Sequence, residues 1–277
     1  MTIILVAIFG LVVGSYLGSL SYRIPRKHIK KWYEEENLEE LNVSLEEDPE
    51  VVNSPRSKCP NCKKTLNWWE LIPVFSYVLL RGRCSGCRQE ISPSYVIIEL
   101  TTALTAVLTY VLFGISVEAV LLFVLLSVLL LASAIDLKCY ILPDFLTLPV
   151  AATGVVYCVL LYLNTVLLKP PFSNHALDSF SGGIIIPVFL IVFSWIFEKI
   201  RQKEGFGFGD IKLLSGIGFW FGLNGACASI VIGSILALIN AVIMKFAKNK
   251  PVFGVYYPFG PFLYVGLLMW VFHFLIR

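Results

Sequence analysis

Charge is what this chain has least of. Lys, Arg, Asp and Glu make up 15% of its 277 residues, against about 25% in an ordinary soluble domain. That shortage excludes a soluble globular protein. Histidine is also scarce, with three residues at 28, 175 and 273, too scattered to build a metal site. There is no HExxH and no Ser/His/Asp set, so zincin and serine-hydrolase chemistry have nothing to stand on. No strand–turn–helix setting surrounds the glycines of GFGFGD (205–210), and the dinucleotide-loop reading fails with it. The net charge of +3 calls for no nucleic-acid partner. There is no basic start before the first apolar run, which argues for a retained helix rather than a secretory signal.

What is present in excess is uninterrupted apolar sequence. Uncharged stretches run over 2–22, 100–117, 119–135, 145–168, 179–197, 213–244 and 251–276, and the mean hydropathy is +0.78. About 20 such residues span a bilayer. The 213–244 stretch is too long for one crossing, and GLNGA (222–226) supplies a turn within it. The expected fold is therefore an all-α polytopic membrane protein of about eight transmembrane helices, near 2–22, 95–114, 117–135, 145–166, 179–197, 211–223, 226–245 and 257–276. By chain order this gives a first helix (1–22), a loop (23–94) and a helical core (95–277).

With the N-terminus outside, the inward connections are 23–94, 136–144, 198–212 and 245–256. They carry twelve, one, four and three of the 22 Lys and Arg residues, leaving only Lys169 and Arg277 outside. Positive residues favour the cytosolic side, so the long loop and GFGFGD are expected there. The acidic stretch 34–50 within that loop reads as a solvated helix or linker.

The loop holds CPNC (59–62) and, 21 residues later, CSGC (84–87). Two such knuckles each bring two thiolates to one ion, and together Cys59, Cys62, Cys84 and Cys87 complete a closed tetrahedral zinc shell. A closed shell is structural, holding together a small module with little core of its own. Disulfides or a redox dithiol are the alternatives; a reducing cytosol disfavours the first, and the matched pair of knuckles the second. Cys139, Cys158 and Cys227 read as small buried hydrophobes.

Carboxylates near apolar runs are the remaining signal, because an aspartate at a helix centre costs roughly 2.5–3.5 kcal/mol. The candidates are Asp136 in ASAIDLKCYILPD, Asp144, and Asp210 in GFGFGD, with Glu99, Glu118 and Glu198 at other span ends. Asp136 and Asp210 lie 74 residues apart yet are expected at the same depth and face. Two carboxylates in a partly dry site share a proton, so that one acts as general base toward water and the other polarises a carbonyl. Gly207 and Gly209 would let an extended substrate approach Asp210. The plainer alternatives are that Asp210 caps its helix and that Asp144 is an interfacial N-terminal residue of the next span. Lys138 and Lys212, each two residues after an aspartate, would tune its pKa, bind acidic substrate or lipid, or simply mark the interface.

In order, GLVVGSYLGSLSYRIPR (10–26), RSKCPNCKKTLNWWELIPVFSYVLLRGRCSGCRQEISPSY (56–95), AIDLKCYILPDFLTLP (134–149), GFGFGDIKLLSGIGFWFG (205–222) and YPFGPFL (257–263) resemble the type IV prepilin leader peptidases over nearly the whole chain. The resemblance implies a bacterial inner-membrane aspartic endopeptidase that removes the basic leader from prepilins or pseudopilins at the cytosolic membrane face. It implies Asp136 and Asp210 as the catalytic pair, with the cysteine module typical of the bifunctional form. It also implies methylation of the new N-terminal amine with S-adenosylmethionine, although no glycine-rich methyltransferase fold is visible. Gly18 and Leu71 depart from the family's usual asparagines. Competing readings are a GxGD intramembrane protease of other specificity, a proton- or ion-coupled transporter, and a membrane anchor whose zinc module binds partners.

Overall fold

A computed structural model describes residues 1–36, 49–163, 176–202, 205–248 and 257–276. Most of the acidic stretch 34–50, His175 and the end of the expected fourth span fall outside these residues. Among the described residues the protein is helical, with two isolated antiparallel bridges, Lys58 with Thr65 and Arg83 with Glu90, and no strand. By packing, the chain divides into two compact units, Met1–Cys139 and Tyr140–Arg277.

The first unit contains α1 (Thr2–Glu36), α2 (Pro49–Val52), α3 (Phe75–Leu79), α4 (Ser94–Phe113) and α5 (Val117–Cys139), with a 3₁₀ turn at Trp68–Leu71. The first helix runs on well past residue 22, because the basic segment after the apolar run is itself rich in good helix formers. Pro25 lies inside it. α1 packs along α4 and α5. The approach to α4 is backbone-close: a Cβ at Gly14 would lie 2.7 Å from Glu99 Cα. Small residues at such crossings let helices pack where no hydrophobic force drives them together. On α5, Leu126, Leu129 and Ile135 are fully buried.

The second unit contains α6 (Asp144–Tyr162), α7 (Ala176–Arg201), α8 (Phe208–Lys248) and α9 (Gly260–Ile276). α8 packs against the other three. Ser215 Oγ donates to Gly183 O at 2.9 Å, Ser229 Oγ donates to Leu263 O at 2.8 Å, and Tyr157 stacks on Trp220 with centroids 4.8 Å apart.

Among the described residues six helices are long and apolar enough to cross a membrane, where the sequence suggested eight spans. The difference lies in the second unit. The expected sixth and seventh spans are two legs of α8, separated by Gly222 (φ 71°, ψ −175°), so the break falls at the first residue of GLNGA. The leg 208–221 is only about 21 Å long at 1.5 Å per residue, short of the roughly 30 Å hydrocarbon layer. The expected eighth span is α9, whose apolar part, Gly260–His273, is also shorter than a full crossing. At Gly222, Asp178 of α7 accepts the Leu223 N–H at 3.3 Å, serving a backbone donor that the break sets free.

Candidate active site and cysteine module

The two cysteine knuckles repeat one another at an offset of 25 residues. In the first, Lys63 N–H donates to Cys59 O and Cys59 N–H to Lys64 O, each at 2.9 Å. In the second, Arg88 N–H donates to Cys84 O at 3.0 Å and Cys84 N–H to Gln89 O at 2.9 Å. Lys63 (φ 58°) and Arg88 (φ 63°) take the same left-handed turn at matching positions. These turns fold the sulfurs inward. Cys59 Sγ lies 3.8 Å from Cys87 Sγ, Cys62 Sγ lies 3.9 Å from Cys84 Sγ, and all four lie within 4.8 Å of one another. Zinc–thiolate bonds of about 2.3 Å in a tetrahedron need sulfurs about 3.8 Å apart, so the donor set fits that ion. Without a metal the thiols are unequal: burial pushes Cys59 up to about 12, while the Gln89 N–H beside Cys87 draws that thiol down to about 6.

Between the knuckles sits Glu70, the acid that sequence reasoning passed over. Its carboxylate is buried and accepts from Asn67 N–H at 2.6 Å, from Lys64 Nζ at 3.3 Å and from the Ser85 hydroxyl. Lys64 Nζ also donates to Ser85 Oγ at 2.7 Å, so Glu70 ties the first knuckle to the second. Burial pushes its pKa up, but the Ser85, Asn67 and Lys64 donors outweigh it and hold the carboxyl below its ordinary value. That Glu70 is one of only two acids among seven Lys and Arg residues in 56–92 was the signal available in the sequence.

Asp136 lies in the last turn of α5 and is 4% exposed. Lys138, two residues on, reaches α1: its Nζ donates to Ser21 O at 3.1 Å and Ser21 Oγ at 3.0 Å. Glu99 lies buried on α4 and accepts the Val74 N–H at 2.7 Å. Glu118 is half-buried in the first turn of α5, and Glu198 is exposed near the end of α7.

In the second unit, Asp210 lies in the first turn of α8, two residues past its first residue, so it does not hold the cap position of the plainer reading. An acid in a first turn faces the positive end of the helix dipole. The glycines before it have different surroundings. A Cβ at Gly207 would come within 3.1 Å of Asp210 Oδ2, so the first glycine of the GxGD pattern keeps space beside that carboxylate. At Gly209 the chain that comes close is the protein's own, with Leu142 Cβ 2.8 Å from the Cβ position. Ser194 Oγ of α7 accepts the Phe206 N–H at 3.0 Å, and the Phe206 ring meets Phe259 edge-on at 5.3 Å, which joins GFGFGD to the YPFGPFL segment. Asp144 opens α6 after the extended Pro143, and Lys212 Nζ lies 2.6 Å from its Oδ1. Lys212 thus pairs with Asp144, two helix positions round from Asp210. Asp136 belongs to the first unit and Asp210 to the second.

The bacterial peptidase A24 N-terminal domain matches residues 8–113, and the type IV leader peptidase family matches residues 123–242. The chain is 35% identical over 263 residues to a prepilin leader peptidase/N-methyltransferase of Burkholderia pseudomallei, covering 94% of this chain and 81% of that protein. It is 33% identical over 265 residues to the protein of the same name from Pseudomonas putida, covering 95% and 88%. The Pseudomonas aeruginosa protein is 32% identical over 268 residues, covering 95% and 88%. No solved structure matches the chain. With that agreement along nearly its whole length, the chain belongs to the type IV leader peptidase family.

Proposed function

We propose that this protein is a multi-pass inner-membrane prepilin leader peptidase that also methylates the N-terminal amine it exposes. The observation that carries the reading is the similarity to prepilin leader peptidase/N-methyltransferases across 94–95% of the chain, with the two candidate aspartates inside the matched regions.

Asp136 and Asp210 form the catalytic pair. The ionised carboxylate takes a proton from water, whose oxygen attacks the carbonyl carbon of the scissile amide after the basic leader. The protonated partner donates to the carbonyl oxygen. When the tetrahedral intermediate collapses, the C–N bond breaks and the amine leaves with a proton. Burial of Asp136 at the end of α5 and the clearance at Gly207 beside Asp210 support this use. S-adenosylmethionine would supply the methyl group to the new amine. Cys59, Cys62, Cys84 and Cys87 would hold a structural zinc ion in a closed shell that takes no part in cleavage. The N-terminus lies outside and the cysteine module in the cytosol, as the Lys and Arg distribution favours. The eight spans expected from the sequence correspond to α1, α4, α5, α6, α7, the two legs of α8, and α9, of which the leg 208–221 and α9 are shorter than the hydrocarbon layer.

The test compares wild type with Asp136→Asn and Asp210→Asn on a prepilin bearing a basic leader. Each single change abolishes cleavage while the protein remains folded and inserted. Full activity in either variant removes that residue from the pair. Methylation is scored separately, on cleaved pilin with labelled donor.

A further inference from the structure

The cysteine module carries an apolar face that its own packing leaves outside. In α3, Phe75, Val78 and Leu79 fall on one side at the i, i+3, i+4 spacing, and they are 60%, 67% and 59% exposed. Nearby in sequence, Trp68 is 79% exposed. The opposite side of α3 is the one used inside the module: Tyr77 OH donates to Ile91 O at 3.3 Å, and its ring packs against Gly82 at the root of the second knuckle. The helix is held in place by one face, and the apolar face points away.

The depth of that face is set by a hydrogen bond. Val74, immediately before α3, is held in a left-handed conformation unusual for a β-branched residue (φ 59°). Its N–H is bound at 2.7 Å by the buried carboxylate of Glu99. Glu99 is five residues into α4, about 7.5 Å from that helix's start at 1.5 Å per residue. The 20 residues of α4 cover about 30 Å, the thickness of the hydrocarbon layer, so this bond ties the start of α3 to the first turns of a membrane-length helix rather than to a point beyond its end. Ile97 and Leu100, flanking Glu99 on α4, are exposed apolar residues of a membrane-length helix.

Charge complements this placement. Residues 56–92 hold seven Lys or Arg (Arg56, Lys58, Lys63, Lys64, Arg81, Arg83 and Arg88) and two acids, of which Glu70 is buried in the hydrogen bonds described above. A short apolar face within a segment rich in basic residues, with an exposed tryptophan seven residues before it, has the composition of an interfacial anchor.

We propose that Phe75, Val78 and Leu79, together with Trp68, seat the cysteine module in the interface of an anionic phospholipid bilayer, continuous with the lipid-facing surface of α4. The module then lies on the membrane surface, fixed by the Glu99–Val74 bond and its apolar face.

The full chain is reconstituted in vesicles of phosphatidylethanolamine and phosphatidylglycerol with a photo-crosslinking benzoylphenylalanine at position 75, 78 or 97. After irradiation, phospholipid adducts are measured by mass. Position 97, on the membrane helix itself, is the reference. Because Phe75 and Val78 are exposed, the label does not disturb packing, and a monodisperse elution profile verifies each protein. Lipid adducts at 75 and 78 are expected at the same order of magnitude as at 97, because an apolar face buried in the interface touches acyl chains. A lower yield at both positions overturns the proposal, as does a label that crosslinks an added prepilin in place of lipid.

Discussion

Lys138 serves the backbone oxygen that Pro25 abandons. In a continuous helix the carbonyl of Ser21 would accept the N–H of residue 25, but proline has none. Lys138 Nζ donates to that carbonyl at 3.1 Å and to the Ser21 hydroxyl at 3.0 Å, while Ser21 Oγ itself donates to Gly18 O at 2.8 Å. A lysine at the end of α5 thereby completes α1.

Replacing Lys138 with Met leaves the Ser21 carbonyl unserved at a buried position. An unsatisfied buried acceptor costs about 1–3 kcal/mol, and thermal unfolding in detergent will show the loss. In a Pro25→Ala background the same change costs less, because alanine restores the N–H. A double-mutant cycle with no coupling between the two positions would rule out this account.

The Asp144–Lys212 pair at 2.6 Å joins the first residue of α6 to the fifth residue of α8. Asp144 is exposed and Lys212 partly exposed, so solvent screens the pair and it contributes about 0–1 kcal/mol to stability. Asp144→Asn and Lys212→Met should each leave measurable prepilin cleavage, in contrast to the complete loss expected for Asp210→Asn. The exchange Asp144→Lys with Lys212→Asp recovers activity relative to either single swap, as measured by initial cleavage rates.

Gly222→Ala should be among the most damaging single changes in the second unit. Its φ of 71° with ψ of −175° lies in a region essentially restricted to glycine, where strain costs about 1–3 kcal/mol. An added Cβ would also meet the Asp178 carboxylate. The expected loss is at least about 2 kcal/mol, whereas Asp178→Asn, which keeps an acceptor for the Leu223 N–H, is mild. Chemical denaturation in mixed micelles compares the two.

Glu70 gives a pH signature. Its folded pKa lies below the ordinary value of 4.5, so its ionised form stabilises the module fully above that pH. The contribution is lost as pH falls through the lowered folded pKa. The stability difference between wild type and Glu70→Gln is therefore flat near neutrality and narrows only below 4.5. Denaturation series of both proteins over that range provide the measurement.

Metal analysis of the purified protein should find about one zinc ion per chain. Any one of Cys59→Ser, Cys62→Ser, Cys84→Ser or Cys87→Ser lowers that content. Chelation opens residues 56–92 to proteolysis, while the membrane helices stay intact.

Much of the architecture was legible along the chain. The lengths of the apolar runs gave the helices, the 25-residue offset between cysteine pairs gave the sulfur cluster, and GLNGA marked the break in α8 to within a residue of where its first glycine stands. Each of these signals is local: hydropathy, spacing and turn chemistry act within one segment. For Lys212 and Lys138 the sequence left open tuning of the aspartate two residues before, binding of acidic substrate or lipid, and a merely interfacial role. In the structure Lys212 pairs with Asp144 and Lys138 donates to Ser21. Residues two apart on a helix point to nearly opposite sides, so their partners come from whichever neighbouring helix faces them.

Amino-acid order alone thus determined which segments are apolar enough to form membrane-length helices, which four sulfurs can share an ion and where the acidic side chains fall. Tertiary packing decided that Glu70 would brace the knuckles, that Asp178 would serve the break at Gly222 and that α3 would turn its apolar face outward. The reason is geometric: hydropathy places a helix, whereas its rotation and register against neighbours, which no single segment encodes, choose the partner of each polar side chain.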